Sequence, residues 1–340
     1  MASLPLVISA RPWQALEVTQ SDAPPAVRGE EKTSPVRRVG LVAWVCLLIV
    51  WVVWGSTYLA IRVGVETMPP LLMAAARNLI AGIIMFPAAM GARRKAIRAG
   101  QAVNRWPSRA EWTGCAIVGV LLLGANGAVG IGEQTVPSGL AALLVATVPL
   151  WLLGIDAVLN HARLGRAPLA GLALGLIGIG FLSGLGGGSG HTSAAGVVII
   201  LIAAFAWALG TIMTRRAVIP SSPALASGME LLCGGAVLLV LSAATGEFGS
   251  LHVTQISARS WLALGYLVVF GSIIAFSAYG IAVRALPTPI VATYAYVNPV
   301  IAVLLGTLIL NERLTPAMVG GGVLIVGAVV LVVRRSPPPH

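Results

Sequence analysis

Charge is scarce in this sequence, and so are the side chains that usually carry chemistry. Only 10% of the 340 residues are charged, and there are three cysteines and four histidines. Cys46, Cys115 and Cys233 all fall inside apolar segments without C-x-x-C spacing or neighbouring histidines, which excludes a disulfide framework and a zinc site. His161, His191, His252 and His340 fall in loops or at the terminus, so no histidine stands at membrane depth as a general base or metal ligand. Paired aspartates are missing too, and a membrane-embedded enzyme needs such a constellation. No Walker motif and no G-x-G-x-x-G after a strand is present, so neither a nucleotide nor another cofactor is expected. The apolar run LPLVISA near the start is too short for a signal peptide and is followed by Arg11 and Pro12.

What is abundant is apolar surface. The sequence is 57% hydrophobic, holds 40 glycines, and has a mean hydropathy of +0.92. One soluble core cannot bury that much, whereas a bilayer solvates apolar helix faces directly and needs about 20 apolar residues per span. Ten such segments run at about Gly40–Ile61, Pro69–Gly91, Trp112–Ile131, Pro137–Leu159, Pro168–Gly186, Gly196–Thr214, Pro223–Thr245, Trp261–Val283, Thr288–Leu310 and Thr315–Val333. The expected fold is an all-α integral membrane protein. Its net charge of +11 suggests nucleic acid at first sight, but the charges are sorted by side. With the N-terminus in the cytoplasm, the inner loops hold Arg37, Arg38, Arg93, Arg94, Lys95, Arg98, Arg215, Arg216, Arg284 and others, while the outer loops hold only Arg62, Arg259 and Arg313. That is the positive-inside asymmetry; it places both termini in the cytoplasm and removes the need for a nucleic-acid partner.

The ten segments divide into two runs of five that align with each other. Trp54–Arg62 matches Trp207–Arg215; Pro70, Arg77 and Gly82 match Pro223, Glu230 and Gly235; Pro137 and Pro149 match Pro287 and Pro299. Five is odd, so the second run enters the bilayer from the opposite face, giving two inverted five-helix repeats of the kind secondary transporters use. The expected boundaries are a cytoplasmic extension without its own fold over 1–39, a first repeat over 40–186, a glycine-rich outer linker over 187–195, a second repeat over 196–333 and a short tail over 334–340.

Ionisable and polar groups inside spans are costly and mark a cavity or a structural partner. Arg77 and Glu230 each lie about 10 Å into their helices, from opposite faces. Substrate or proton binding accounts for them, as does a structural contact. Glu133 ends the third span, as a titratable gate residue or a solvated helix-end carboxylate. Asn126 bonds a substrate or a neighbouring helix. Trp54 and its repeat counterpart Trp207 are deep enough to pack or to line a cavity, and Tyr58 is a candidate beside them. In the ninth span, Pro299 falls roughly 16 Å into a hydrocarbon layer of about 30 Å. There it is expected to break the helix near the midplane, as Pro149 kinks the plainer fourth span. Tyr294, Tyr296 and Asn298 beside it point to a binding surface, with substrate contacts concentrated on that helix. Glycines 171, 175 and 178 in the fifth span and 320–322 and 327 in the tenth suit close helix contacts within the scaffold or across a homodimer.

The ordered set WGSTY, Pro69-Pro70 with Arg77, GEQTVPSGLAALL, VATVP, YAYVNPVIAVLLG and LNERLTP resembles the EamA family of ten-helix exporters in the drug/metabolite transporter superfamily. The resemblance runs from about Leu41 to Val333. It implies two EamA domains, a bacterial inner-membrane location, and alternating-access export of amino acids, metabolites or drugs through a cavity between the repeats. It makes Trp54, Tyr58, Arg77, Glu133, Tyr294, Tyr296, Asn298 and Pro299 motif positions. One departure stands out: Asn160-His161-Ala162-Arg163 lacks the glutamate of Asn311-Glu312-Arg313. The expected function is secondary export of small metabolites, with protons and membrane lipid as partners; an uptake carrier or facilitator, and a non-transporting sensor or scaffold, are the alternatives.

Overall fold

The computed structural model describes residues 35–100, 106–159, 193–286, 288–291 and 293–335, with short pieces between 170 and 178. Among the described residues every regular element is helical. In chain order these are α1 (Pro35–Gly64), α2 (Pro70–Arg98), α3 (Arg109–Glu133), α4 (Ser138–Val145), α5 (Val148–Leu159), α6 (Ala194–Arg216), α7 (Pro223–Ala244), α8 (Ala258–Ala285), α9 (Tyr294–Leu310) and α10 (Pro316–Arg335). Seven stretches, with α4 and α5 taken together, are long and apolar enough to cross a bilayer, and Val297–Leu310 and Pro316–Ala328 are shorter apolar helices. Their outer faces carry large exposed apolar side chains such as Leu41 (68%), Leu262 (75%) and Leu308 (76%), which suits lipid rather than water. Most of the 1–39 extension, residues 187–192 of the linker, most of the fifth span and all but the first two residues of the 334–340 tail lie outside the described residues.

Local chemistry sets the helix ends. Proline opens α2 and α7, where its missing N–H costs least. Ser108 and Glu111 form a capping box at α3, each side chain bonded to the other's backbone N–H at 3.1 and 2.6 Å. At the end of α9, Asn311 adopts a left-handed φ of 55°, and the Glu312 N–H closes on the Gly306 carbonyl at 3.1 Å. This turn sends the Glu312 side chain back across the bundle.

The centre is a contact between α2 and α7. A β-carbon at Gly82, Gly235 or Gly228 would stand 3.0 Å from the backbone nitrogen of Leu232, Leu79 or Phe86 respectively. The three contacts share one antiparallel register. Gly82 and Leu79 are the repeat counterparts of Gly235 and Leu232, so the contact is reciprocal. The third helix wedges in on the same terms: a β-carbon at Gly119 would meet the Glu230 carbonyl, and one at Gly234 would lie 2.5 Å from the Gly119 oxygen. The main apolar core gathers side chains from both repeats around this contact, with Val118, Leu123, Leu231, Leu238 and Leu267 nearly or fully buried. A β-carbon at Gly178 would stand 3.2 Å from the backbone nitrogen of Ile325 in α10, so this small residue serves a contact inside the chain.

Of the two proline expectations, one is corrected. In the fourth span the helix stops at Val145 and restarts at Val148, so the break at Ala146 and Thr147 falls in the turn before Pro149, as expected, and Pro149 sits in the first turn of α5. In the ninth, the irregular turn comes at Thr293, before α9 starts, and Pro299 lies inside a continuous helix. A proline removes only its own N–H, and surrounding packing holds the α9 path across that loss.

Replacing Gly119 with alanine should destabilise the protein by about 1–3 kcal/mol, because the methyl meets backbone that cannot swing away. Gly124→Ala, on the same helix with nothing within 4 Å, should be neutral or mildly stabilising. Thermal unfolding in detergent distinguishes them; equal melting temperatures would contradict this packing.

Candidate functional site

A cavity of about 60 Å³ lies where α1, α2 and α3 meet α6, α8 and α9. Its position follows from the glycine contacts, which draw the backbones together beneath it and leave the aromatic residues of α1, α6 and α9 to fill the space between the repeats. Trp54 is the hub. Its ring centroid is 4.8 Å from Tyr279, 5.5 Å from Trp207 and 5.5 Å from Tyr294, the last two nearly perpendicular. Its indole N–H donates to the Gly271 carbonyl at 3.4 Å, within a π-helical turn of α8 over Leu267–Ile274. Such turns offer carbonyls and hydroxyls that a regular helix would consume.

The same turn positions Arg77. Its guanidinium is 5% exposed and its Nε donates to Ser272 Oγ at 2.8 Å. A β-carbon at Gly271 would stand 3.2 Å from Nη2, so the glycine makes room for the charge. Asn298 is buried on α9; with its amide nitrogen turned toward the helices it donates to the carbonyls of Tyr294 at 3.2 Å and Trp51 at 3.1 Å. Asn126 and Tyr58 complete the polar part of the wall.

A second space of about 340 Å³ adjoins the first on the side of the α6 C-terminus and the α7 N-terminus. Glu230, Arg215, Arg284, Ser227 and Tyr279 border it, and Phe276 borders both spaces. Arg284 also donates to the carbonyls of Ser221 and, at 3.3 Å, Pro220, fixing the start of α7. Phe276 and Tyr279, with Trp54 behind them, form the partition between the two spaces.

The opposite end of the bundle is tied shut across the repeats. Glu312 accepts from Ser138 N and Oγ at 2.9 Å each and from Gly139 N at 3.2 Å, occupying the N-terminus of α4. Glu247 does the same at α2, accepting from Leu71 N at 3.1 Å and Leu72 N at 2.7 Å, and is steadied by Ser242 at 2.9 Å. A carboxylate on free helix N–H groups is a strong, charge-assisted contact. Thr67, Ser260 and the Val63 carbonyl add a hydroxyl chain at 2.8 and 2.9 Å.

Of the residues singled out from the sequence, Trp54, Tyr58, Arg77, Asn126, Trp207, Tyr294 and Asn298 meet in the central cavity, and Glu230 borders the second space. Pro299 is buried in α9 away from both, and the Tyr296 side chain lies outside the described ones. Two expectations change. The cavity wall is not concentrated on α9, because α1 supplies Trp54, Thr57, Tyr58 and Ile61 against two residues from α9. Glu133 is no solvated helix-end group: it is fully buried, both carboxylate oxygens lack a partner among the described residues, and its backbone carbonyl accepts from Arg62. The turn into α4 and Ile200 of α6 close over that helix end; a β-carbon at Gly132 would lie 2.8 Å from Ile200 Cδ1. Sequence reasoning passed over Ser272, Phe276 and Tyr279. The hydroxyl of Ser272, alone in the apolar run LVVFGSIIAF, was the available signal.

Glu312→Ala should lower stability by about 1–2 kcal/mol through loss of the α4 cap. Gly306→Ala should act in the same direction, since its methyl would fall on the Glu312 carboxylate and 2.9 Å from Ser138 Oγ. Melting in detergent, with exposed Glu66→Ala as the reference, checks both; a Glu312→Ala protein as stable as the reference would contradict the cap.

Comparison with known proteins agrees with this geometry. The chain matches the EamA-like transporter family over residues 42–184 and 194–334. It is 39% identical over 289 residues to the "Uncharacterized inner membrane transporter YedA" of Escherichia coli (strain K12), covering 84% of this chain and 89% of that one. A "Probable amino-acid metabolite efflux pump" of Salmonella typhimurium is 29% identical, over 82% and 90% of the two chains. A "Probable terminal-alkyne amino-acid exporter" of Streptantibioticus cattleyicolor is 28% identical, over 88% and 95%. One solved crystal structure superposes with a TM-score of 0.57 at 21% identity, covering 87% of this chain and 97% of the other, and shares the fold.

Proposed function

The chain belongs to the EamA-like transporter family, and we propose that it is a secondary active exporter of small metabolites, amino acids or drugs, working by alternating access in the bacterial inner membrane. The observation that carries this reading is the central cavity between the repeats, sealed at one end by Glu247 and Glu312 and divided at the other from a larger space by movable side chains. The architecture is ten helices in two inverted repeats, 40–186 and 196–333, joined by the 187–195 linker, with the 1–39 extension and the 334–340 tail in the cytoplasm. The reciprocal antiparallel contact of α2 and α7 supports the inversion. The loop charges support the orientation, which puts the Arg215 and Arg284 end inside.

In this orientation the structure is closed outward. Opening requires the carboxylates of Glu247 and Glu312 to leave α2 and α4, and these helix N-termini then become free for water. Closing the inner side requires the partition of Phe276, Tyr279 and Trp54 to tighten. Such rocking of one repeat against the other around a fixed site is how inverted-repeat transporters move substrate. The names of the pump and exporter relatives support the outward direction.

Protons supply the energy in this reading. Glu230 faces the inner space and Glu133 lies buried near the outer closure, one carboxylate toward each side of the membrane. The wild-type protein in proteoliposomes should move labelled amino acids faster under an imposed pH gradient, and Glu133→Gln or Glu230→Gln should abolish that acceleration while leaving exchange of labelled for unlabelled substrate. If both variants respond to the gradient as the wild type does, coupling does not pass through these groups. Uptake driven inward in the same vesicles would replace export with an uptake carrier.

A further inference from the structure

We propose that the central cavity recognises its substrate by a negatively charged end, a carboxylate held against Arg77, and rejects amphipathic amines of the same size. Arg77 is the one charged side chain among the described residues of that wall, and Glu133 and Glu230 are both off it. Arg77 is buried, and among the described residues one hydrogen bond orients its guanidinium: Nε donates to a neutral hydroxyl, Ser272 Oγ, at 2.8 Å. Burying a cation beside a neutral partner leaves its charge uncompensated, and an arriving carboxylate restores the balance with two parallel hydrogen bonds.

The remaining polar groups of the wall are neutral, among them the Asn126 amide and the Trp207 indole, which can only donate. The Trp207 N–H is buried, makes no hydrogen bond of full geometry among the described residues and lies toward the Tyr294 hydroxyl, so an incoming oxygen would compete with that hydroxyl for it. An amine would bring a like charge toward Arg77. The ammonium of a zwitterion is tolerated because the aromatic faces of Trp54 and Tyr294 can meet it. Those rings, with Phe276, also favour an apolar body at the other end of the ligand.

This inference rests on the central cavity being the transport site, so binding and flux are read separately. The purified full-length protein in detergent is titrated with three probes that share one ring: 3-phenylpropionate, phenylalanine and phenethylamine. Binding is followed by displacement of radiolabelled 3-phenylpropionate. The carboxylate and the zwitterion should bind at least about tenfold more tightly than the amine, the size expected of a charge-assisted pair. Arg77→Gln should erase that preference, Arg77→Lys should keep part of it, and Ser272→Ala should weaken carboxylate binding without reversing the order. Equal or tighter binding of the amine, no binding of any probe, or an unchanged preference in monodisperse Arg77→Gln overturns the proposal. Carboxylate-selective binding without flux in proteoliposomes leaves it standing and defeats the exporter reading; flux of amines at the rate of carboxylates does the reverse.

Discussion

The structure depends on how closely two antiparallel helices approach at its centre. In a bilayer, lipid tails are as apolar as leucine, so helices associate through packing and interhelical hydrogen bonds rather than by escaping water. Glycines 82, 228 and 235 let α2 and α7 meet backbone to backbone, and Gly119 brings α3 against the carbonyl of Glu230. Side chains longer than glycine at these points would separate the repeats. The rings of α1, α6 and α9 would then no longer reach one another, and the space between them would merge with its neighbour.

The same close approach decides what can move. Contacts along α2 and α7 rest on glycines set against the facing backbone, which holds the two helices in one register. The contacts at the outer closure are different in kind. They are carboxylate oxygens on helix N–H groups, strong when formed and replaceable by water when released, because both the carboxylates and the helix ends lie near the surface. A rigid seam beside a replaceable seal is a hinge with a latch. Asn311 matters here, since its left-handed turn aims Glu312 at α4.

Much of this was legible in the sequence, and the exceptions have physical reasons. Apolar runs and internal alignment mark the spans and the repeat, and the rule that polar groups inside a membrane need partners marks part of the cavity wall, which is why Arg77, Asn126 and Asn298 stood out. Glu133 was misjudged because helix-end position in sequence says nothing about which other helix covers that end. Pro299 was misjudged because proline fixes a local φ and a missing donor, while the path of the helix depends on neighbours. The roles of Glu247 and Glu312 were hidden because each caps a helix of the other repeat, more than 170 positions away. Ser272 was passed over because one hydroxyl in an apolar run is cheap to bury, and only its pairing with Arg77 makes it informative.

The repeat relation also explains why its most conspicuous violation is useful. Arg77 and Glu230 occupy equivalent positions, so two-fold symmetry alone would give them like charges and make the two halves of the path electrostatically identical. Opposite charges make the path polar. The register of α2 on α7 sets them seven residues apart along the contact, roughly 10 Å, too far for a direct ion pair and with the partition of Phe276 and Tyr279 between their spaces. Each charge therefore keeps its own cavity and is available to whatever enters it. Had they paired, the protein would have two satisfied structural charges; left apart, they give the second space a carboxylate and the central cavity a guanidinium.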